Sequence, residues 1–111
     1  MTDEEFDQEM SDEDTVLTAN ALKAMAHPLR WKILCSLGDS ELSVGEIVER
    51  TGTSQSNISQ HLEQLRNKNI VVSRKEANRI FYRIRNSQLL TLIGTMREVL
   101  CPANLEDRFR G

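Results

Sequence analysis

Apolar side chains recur at helical spacing in the first third of the chain. Thr15–Met25 and Pro28–Leu37 both carry them with a period near that of an α-helix, which predicts two consecutive helices. The first should end at His27, because a residue that precedes proline is disfavoured in the α region. The second should end at Gly38, because glycine permits a left-handed cap.

The next segment predicts two helices joined by a tight turn. Ser43 and Glu46 have the spacing of a capping box, which starts a short helix that reaches about Arg50. The glycine-containing turn 51–53 follows, and Ser54 is expected to cap the second helix. One narrow stripe of that helix is apolar at positions i, i+4 and i+7, namely Ile58, Leu62 and Leu65.

The period then changes to that of β-structure. Ile70–Val72 begins a β-branched run, residues 76–79 have turn character, and Ile80–Ile84 returns with β-branched and aromatic side chains. A last helix is predicted from about Ser87 to Leu100 and should be ended by Pro102. The fold class is therefore mainly α with a small β-hairpin.

Length and composition predict one domain between two charged tails. The 111 residues suffice for a single modest core, and the hydrophobic share of 39% favours an oligomer. Residues 1–14 contain eight acids and no base, so they are predicted to form a disordered acidic tail with either a solubilising or a regulatory role. The domain should span residues 15–102, followed by a charged C-terminal tail over 103–111.

The net charge of −3 conceals a basic domain. Without the eight acids of the tail, 14 bases face 17 − 8 = 9 acids, which gives +5. Residues 66–85 hold seven bases and one acid, and such local charge favours contact with phosphates. There is no apolar run of the roughly 20 residues that a membrane helix needs, and the N-terminus lacks the features of a signal peptide. A cytoplasmic protein without membrane contact is expected.

The segment from Ser43 to Arg66 has the length of a helix-turn-helix, with a glycine-containing turn between two predicted helices. This predicts double-stranded DNA as a partner. Short amides and hydroxyls opposite the apolar stripe could bond to base edges in the major groove, and the helix N-terminus favours phosphate. The alternative is an ordinary helix with a solvated face. The predicted DNA-binding residues of this helix are Ser54, Gln55, Ser56, Asn57, Ser59 and Gln60.

Three bases at the tip of the hairpin extend this hypothesis. Arg74, Lys75 and Arg79 could lie along the sugar-phosphate backbone and reach the adjacent minor groove. A charged hairpin edge that discourages aggregation is the structural alternative for each of them singly.

Catalytic machinery is not apparent in the sequence. There is no nucleophile–base constellation or glycine-rich phosphate loop, so neither an enzyme nor a cofactor site is predicted. His27 is interpreted as a helix-end residue and His61 as a packing or backbone-bonding residue.

Five runs of the sequence together carry a family resemblance over about residues 17–101. The runs are Leu22–Arg30 (LKAMAHPLR), Ile33–Leu34, Glu41–Ile47, Ser54–Leu62 (SQSNISQHL) and Leu65–Arg66. They resemble the ArsR family of bacterial repressors, whose members release DNA when a metal or another chemical signal arrives. The resemblance implies a winged helix-turn-helix of order α1-α2-α3-α4-β-β-α5, a homodimer through α1 and α5, and an operator that is an imperfect palindrome.

The positions that carry metal ligands in metal-sensing members do not carry such a set of ligands in this sequence. Ser43 and Gly45 stand where such members carry thiolates on α3, and α5 offers Glu98 but no histidine. Because a transition-metal site needs about three or four such ligands, a metal signal is not predicted.

Cys35 and Cys101 are the two cysteines. At about 100° per residue both fall away from the main apolar line of their helix, so the thiols could meet where α2 passes α5. The pattern Ile-Leu-Cys on α2 with Leu-Cys-Pro ending α5 resembles a dithiol subgroup of the family that responds to sulfide-derived persulfides or oxidants. The resemblance implies a redox-sensing pair joined by a disulfide or short polysulfide, with release of operator DNA. Two small buried hydrophobes are the structural alternative.

Two further classes of function stay open on the sequence. One is a thiol-independent DNA-binding regulator or antirepressor with structural cysteines. The other is a protein-interaction module, since a winged helix does not guarantee DNA contact.

Overall fold

In a computed structural model that describes residues 10–101, five helices and a three-stranded antiparallel sheet are present. This confirms the predicted winged helix-turn-helix order. The elements are α1 (Asp12–Met25), α2 (Pro28–Leu37), β1 (Leu42–Ser43), α3 (Val44–Thr51), α4 (Gln55–Asn67), β2 (Val71–Glu76), β3 (Arg79–Ile84) and α5 (Ser87–Leu100).

The ends of α2 and α5 lie where the sequence predicts them. Nδ1 of His27 accepts a hydrogen bond from the Leu29 N–H at 3.2 Å, so His27 caps α2 and is the predicted helix-end residue. Gly38 ends the helix with a φ of 52°, in the region that favours glycine. At α5 the side chain of Asn86 accepts from the Leu89 N–H at 2.9 Å. Local capping chemistry therefore sets these boundaries.

Helix α1 begins three residues earlier than predicted. Ser11 caps it by accepting a hydrogen bond from the Asp14 N–H at 3.0 Å. Residues 12–14 were assigned to an acidic tail, but acids in a first turn are stabilised by the positive end of the helix dipole. Residues 1–9 of the predicted N-terminal tail, and the whole C-terminal tail, lie outside the described residues.

The sheet has one strand more than the predicted hairpin. Leu42 and Ser43 pair antiparallel with Tyr82 and Phe81, which gives the strand order β1-β3-β2. The turn between β2 and β3 consists of two residues, and the first of them, Ala77, has a φ of 55°. The wing, defined as β2, β3 and this turn, is therefore fastened to the start of α3.

The core lies where α2, α3, α4 and the sheet meet. The apolar stripe predicted on α4 is completely buried, which fixes the opposite face of that helix towards solvent. Burial of this kind is the main source of stability for a short helix. The largest fully buried side chains are Ile33, Leu34, Leu37, Ile47, Ile58, Leu62, Leu65 and Val71.

Most of the exposed large apolar side chains lie on α1 and α5. Of the seven in the described residues, six belong to these two helices, and the seventh is on the wing. The six are Val16, Leu17, Leu22, Leu92, Val99 and Leu100. Between residues 10 and 101 no helix combines the length and apolar character needed to cross a membrane.

Candidate nucleic-acid interface and dithiol groove

The predicted helix-turn-helix is formed by α3 and α4. Ser43 Oγ accepts from the Glu46 N–H at 3.3 Å, and Glu46 Oε1 accepts from the Ser43 N–H at 3.1 Å, so the predicted capping box is present. Hydrogen bonds from the Ser43 backbone and side chain lower the pKa of the Glu46 carboxyl. Gly52 has a φ of 75°, the left-handed conformation that the turn requires. The position of α4 is thus determined by local chemistry and by the core.

All six side chains predicted to read DNA from α4 are exposed. Ser54 is the N-cap, since its Oγ accepts from the Asn57 N–H at 3.3 Å. The amide of Asn57 donates to Thr53 Oγ1 at 3.3 Å, so both residues also support the turn. The remaining four, Gln55, Ser56, Ser59 and Gln60, are the better placed to contact bases, because an exposed amide or hydroxyl can bond to base edges.

The three basic residues predicted on the wing do not share one face. The guanidinium groups of Arg74 and Arg79 lie over the Phe81 ring, at 4.7 and 5.2 Å from its centroid. Lys75 pairs with Ile80 in the ladder, so it belongs to the opposite face. The wing therefore presents two separate basic surfaces to a nucleic acid.

Acids from the wing and from outside it partner the two arginines. Arg74 forms ion pairs of 2.6 Å with both Glu41 and Glu76, and Arg79 lies 3.8 Å from the Glu46 carboxylate. The hydrogen bond from Arg74 lowers the pKa of Glu41. Glu76 is the one acid within the basic segment 66–85 of the sequence. Glu41 and Glu46 approach the wing only through the pairing of β1 with β3. Phosphate contact by Arg74 would have to compete with these carboxylates.

Removing one of these acids provides a test of the wing. We expect Glu41→Gln to tighten operator binding by about two- to fivefold, because exposed ion pairs are weak and the released guanidinium becomes available to phosphate. The dissociation constant is measured at fixed salt concentration. Glu13→Gln, in the first turn of α1, is the control with the same charge change. Equal tightening by both variants would show that only net charge matters.

The two cysteines line a single groove between the end of α1, α2 and the end of α5. Its volume is about 620 Å³, and Cys35 and Cys101 are both half-buried in its wall. Cys101 follows the last residue of α5 with an extended backbone, whereas Cys35 lies within α2. The rest of the wall is mainly apolar: Leu22, Met25, Ala26, His27, Pro28, Trp31, Met96, Arg97 and Leu100.

The thiol of Cys35 is perturbed by this setting. Burial raises its pKa, the positive charge of Arg97 opposes that rise, and Cys101 adds to it. The pKa of the Cys35 thiol therefore reflects both burial and the charges of two other residues that line the groove. No group of three or more histidine, cysteine or acidic side chains suited to a metal ion occurs within residues 10–101.

Helix α4 also contacts the α1–α2 junction through His61. Its ring lies against that of His27, with the centroids 4.5 Å apart, and its Nδ1 is 3.3 Å from Nη1 of Arg30. This agrees with the predicted packing role of His61. Neither the stacked pair nor the arginine contact has a local sequence signal, because His61 of α4 meets residues at the start of α2 that are more than 30 positions away in the chain.

Comparisons with known proteins agree with this architecture. The family model described as bacterial regulatory protein, arsR family, matches residues 27–73, from the start of α2 into β2. The transcriptional activator HlyU of Vibrio cholerae is 46% identical over 83 residues, which cover 75% of this chain and 77% of that protein. The HTH-type transcriptional regulator YgaV of Escherichia coli is 44% identical over 85 residues, or 76% and 86% of the two chains.

Solved structures extend the similarity to the whole domain. HlyU from Vibrio cholerae superposes with a TM-score of 0.75 at 40% identity, covering 82% of this chain and 99% of that chain. The transcriptional repressor BigR from Xylella fastidiosa gives 0.75 at 33% identity, covering 91% and 98%. With this helix-turn-helix, wing and level of identity, the chain belongs to the ArsR family of bacterial DNA-binding transcriptional regulators, which are not enzymes.

Proposed function

We propose that the protein is a homodimeric repressor that binds operator DNA when reduced and releases it when Cys35 and Cys101 become bridged. A sulfide-derived persulfide or another thiol oxidant supplies the signal. The observation that carries the proposal is the location of both thiols in one groove between α2 and α5, where each is partly accessible.

Dimerisation is supported by the exposed apolar side chains of α1 and α5. Leu17 is 67% exposed and Val99 is 60% exposed, although both are large and apolar. Apolar surface on two helices that line the same groove is typical of a symmetric interface. Two-fold pairing would place two copies of α4 about one DNA turn apart, roughly 34 Å, and this spacing corresponds to an imperfect palindrome.

The bridging chemistry needs only the two thiols and the persulfide. A cysteine thiolate attacks the outer sulfur of RSSH, which yields a protein persulfide and RSH. The second cysteine thiolate then attacks the protein-bound sulfur, forming the disulfide and releasing hydrogen sulfide. The two electrons lost by the thiols reduce the transferred sulfur. When both cysteines carry a persulfide, loss of hydrogen sulfide leaves a trisulfide instead.

We assign the first attack to Cys101. It lies just beyond the end of α5 with an extended backbone, so its position is not fixed by a following helical turn. Cys35 sits inside α2, and burial raises the pKa of its thiol, which lowers its thiolate fraction. Cys35 is therefore suited to resolve the persulfide formed on Cys101.

Bridging would act on DNA binding through α2. This helix packs directly against α3, α4 and α5, so a covalent link between α2 and α5 constrains the support of the helix-turn-helix. Interiors are close-packed and repack between discrete arrangements, so a shift of α2 also changes the setting of α4.

The proposal is tested by operator binding before and after defined thiol treatments. Reduced protein is compared with protein treated with glutathione persulfide, peroxide or diamide, and with Cys35→Ser and Cys101→Ser variants. We expect treatment to weaken binding of the native protein by about 5- to 150-fold, the usual range of allosteric coupling. Each serine variant should retain the affinity of the reduced protein, and intact mass should reveal a disulfide or an added sulfur.

Ser36→Ala is the matched control, since it alters the neighbour of Cys35 and keeps both thiols. It should respond like the native protein. Unchanged binding after every treatment, without an intramolecular bridge, would leave only structural cysteines. A response to peroxide but not to persulfide would show that the signal is a different oxidant, and the dithiol switch itself would be supported.

A thiol-independent regulator is the second candidate. The relative HlyU bears the name transcriptional activator, whereas BigR is called a repressor, so similar domains serve opposite outputs. As an antirepressor, this second candidate would bind DNA and displace another repressor from it. Two measurements separate this candidate from the dithiol repressor. Its operator binding should not change with any thiol treatment. Transcription from an operator-bearing template, with the purified protein and polymerase alone, should fall with a repressor but not with an antirepressor.

A further inference from the structure

Arg30 joins three helices through one side chain. It lies in the first turn of α2, and its Nε donates to the carbonyl of Ala24 in the last turn of α1. Its Nη1 lies 3.3 Å from His61 Nδ1 and 3.4 Å from Gln64 Oε1, both on α4. The planar guanidinium has donors in a fixed geometry, so a movement of α2 is transmitted to its partners on α4.

His27 connects this cluster to the dithiol groove. His27 is one of the residues that line the groove together with Cys35 and Cys101. Its imidazole ring packs on His61 with an interplanar angle of 34°. A continuous set of contacts therefore runs from the groove through His27 to His61 of α4. The residue that precedes His61 is Gln60, which is predicted to read DNA.

The hydrogen bonds indicate which nitrogen of each imidazole ring is the acceptor. His27 Nδ1 accepts from the Leu29 N–H, and His61 Nδ1 faces a guanidinium that can only donate. A ring nitrogen that accepts a hydrogen bond carries no proton, so Nδ1 is the unprotonated nitrogen in these contacts. Burial, His27 and Arg30 all lower the pKa of His61, which agrees with this assignment.

We propose that His27, Arg30 and His61 are positioning residues that transmit changes between the dithiol groove and the DNA-reading face of α4. The identity of the chemical signal rests on the proposed function, but the link itself does not. Since coupling between two sites is reciprocal, operator DNA bound to α4 must also alter the groove. That reverse effect is measurable without any oxidant.

The test uses the rate at which iodoacetamide alkylates the thiols, with and without saturating operator DNA, and the emission of Trp31. Trp31 is the chain's one tryptophan and lines the groove. We expect DNA to change the alkylation rate of the native protein by about fivefold, and to shift the Trp31 emission. In Arg30→Lys and His61→Phe the rate change should fall below about twofold. His61→Phe preserves ring packing on His27 and removes the Nδ1 atom that faces Arg30 Nη1.

Arg50→Lys is the matched control. Arg50 also bonds from one helix to the backbone of α2, through the Ser36 carbonyl at 3.2 Å, but it has no part in the His27–His61 cluster. It should keep the native response to DNA. Thermal unfolding followed by circular dichroism establishes that each variant is folded, and the two altered residues provide independent tests.

The outcomes separate the link from the switch. If folded Arg30→Lys and His61→Phe keep the native response to DNA, or if DNA leaves the native thiols and Trp31 unchanged, the link is wrong. If DNA alters the groove only in the native protein and the control, the link is supported. If, in addition, oxidative bridging leaves operator affinity unchanged, the proposed function fails while the link stands.

Discussion

A protein carrying Leu17→Asp and Leu92→Asp is expected to be monomeric and to lose operator affinity by about 10²- to 10⁴-fold. The two side chains are exposed on α1 and α5, and a buried carboxylate in a two-fold interface is strongly unfavourable. A dimer binds the second half-site at high effective concentration, and a monomer loses that advantage. Sedimentation gives the mass, and titration with full and half operators gives the affinities.

Asn20→Asp with Gln88→Glu is the control for this experiment. It places the same added charge at exposed polar positions of the same two helices. The control should remain dimeric and should weaken operator binding far less. A double aspartate variant that stays dimeric would rule out these side chains as the interface, and a monomer with native affinity would remove the need for two half-sites.

Replacing two side chains of α4 should separate sequence reading from simple attachment. Ser56→Ala with Gln60→Ala is expected to weaken operator binding by about 10- to 100-fold, because a good base contact contributes about 1–3 kcal/mol of discrimination. Binding to a shuffled sequence should change by less than about twofold, since non-specific affinity comes from phosphate contacts. Both dissociation constants are measured at the same salt concentration.

The matched control is Gln88→Ala with Thr91→Ala, which makes two comparable truncations on exposed positions of α5. It should affect neither DNA. An equal loss on operator and shuffled DNA by the α4 variant would mean that these side chains hold the backbone. An unchanged preference for the operator would exclude them as readers.

Local chemistry made much of the fold predictable from sequence. Ser43, Ser54 and Gly38 mark helix ends by capping or by backbone freedom, and these signals act within three or four residues. Strand β1 was missed because two residues carry no periodicity, and Leu42 is a strand residue only through Tyr82. Tertiary pairing determined that element.

The candidate site was likewise predictable only where local sequence determines it. The exposed face of α4 follows from its helical period, so its polar residues could be identified in advance. The ion pair between Arg74 and Glu41 could not, because the two residues are 33 positions apart in the chain. The contact between His27 and His61 likewise depends on how helices pack. Sequence analysis therefore identified candidate residues better than their partners.

Ser43 has a consequence for how DNA can be released. It is a residue of β1, it caps α3, and its hydroxyl accepts a hydrogen bond from Arg79 of the wing at 3.1 Å. Ser43 thus adds its own bonds to the β1–β3 pairing and the Arg79–Glu46 ion pair that join the wing to α3, and neither unit can tilt alone without breaking them. Base reading and backbone grip should then be lost in one concerted step, with no intermediate that slides along DNA while ignoring its sequence.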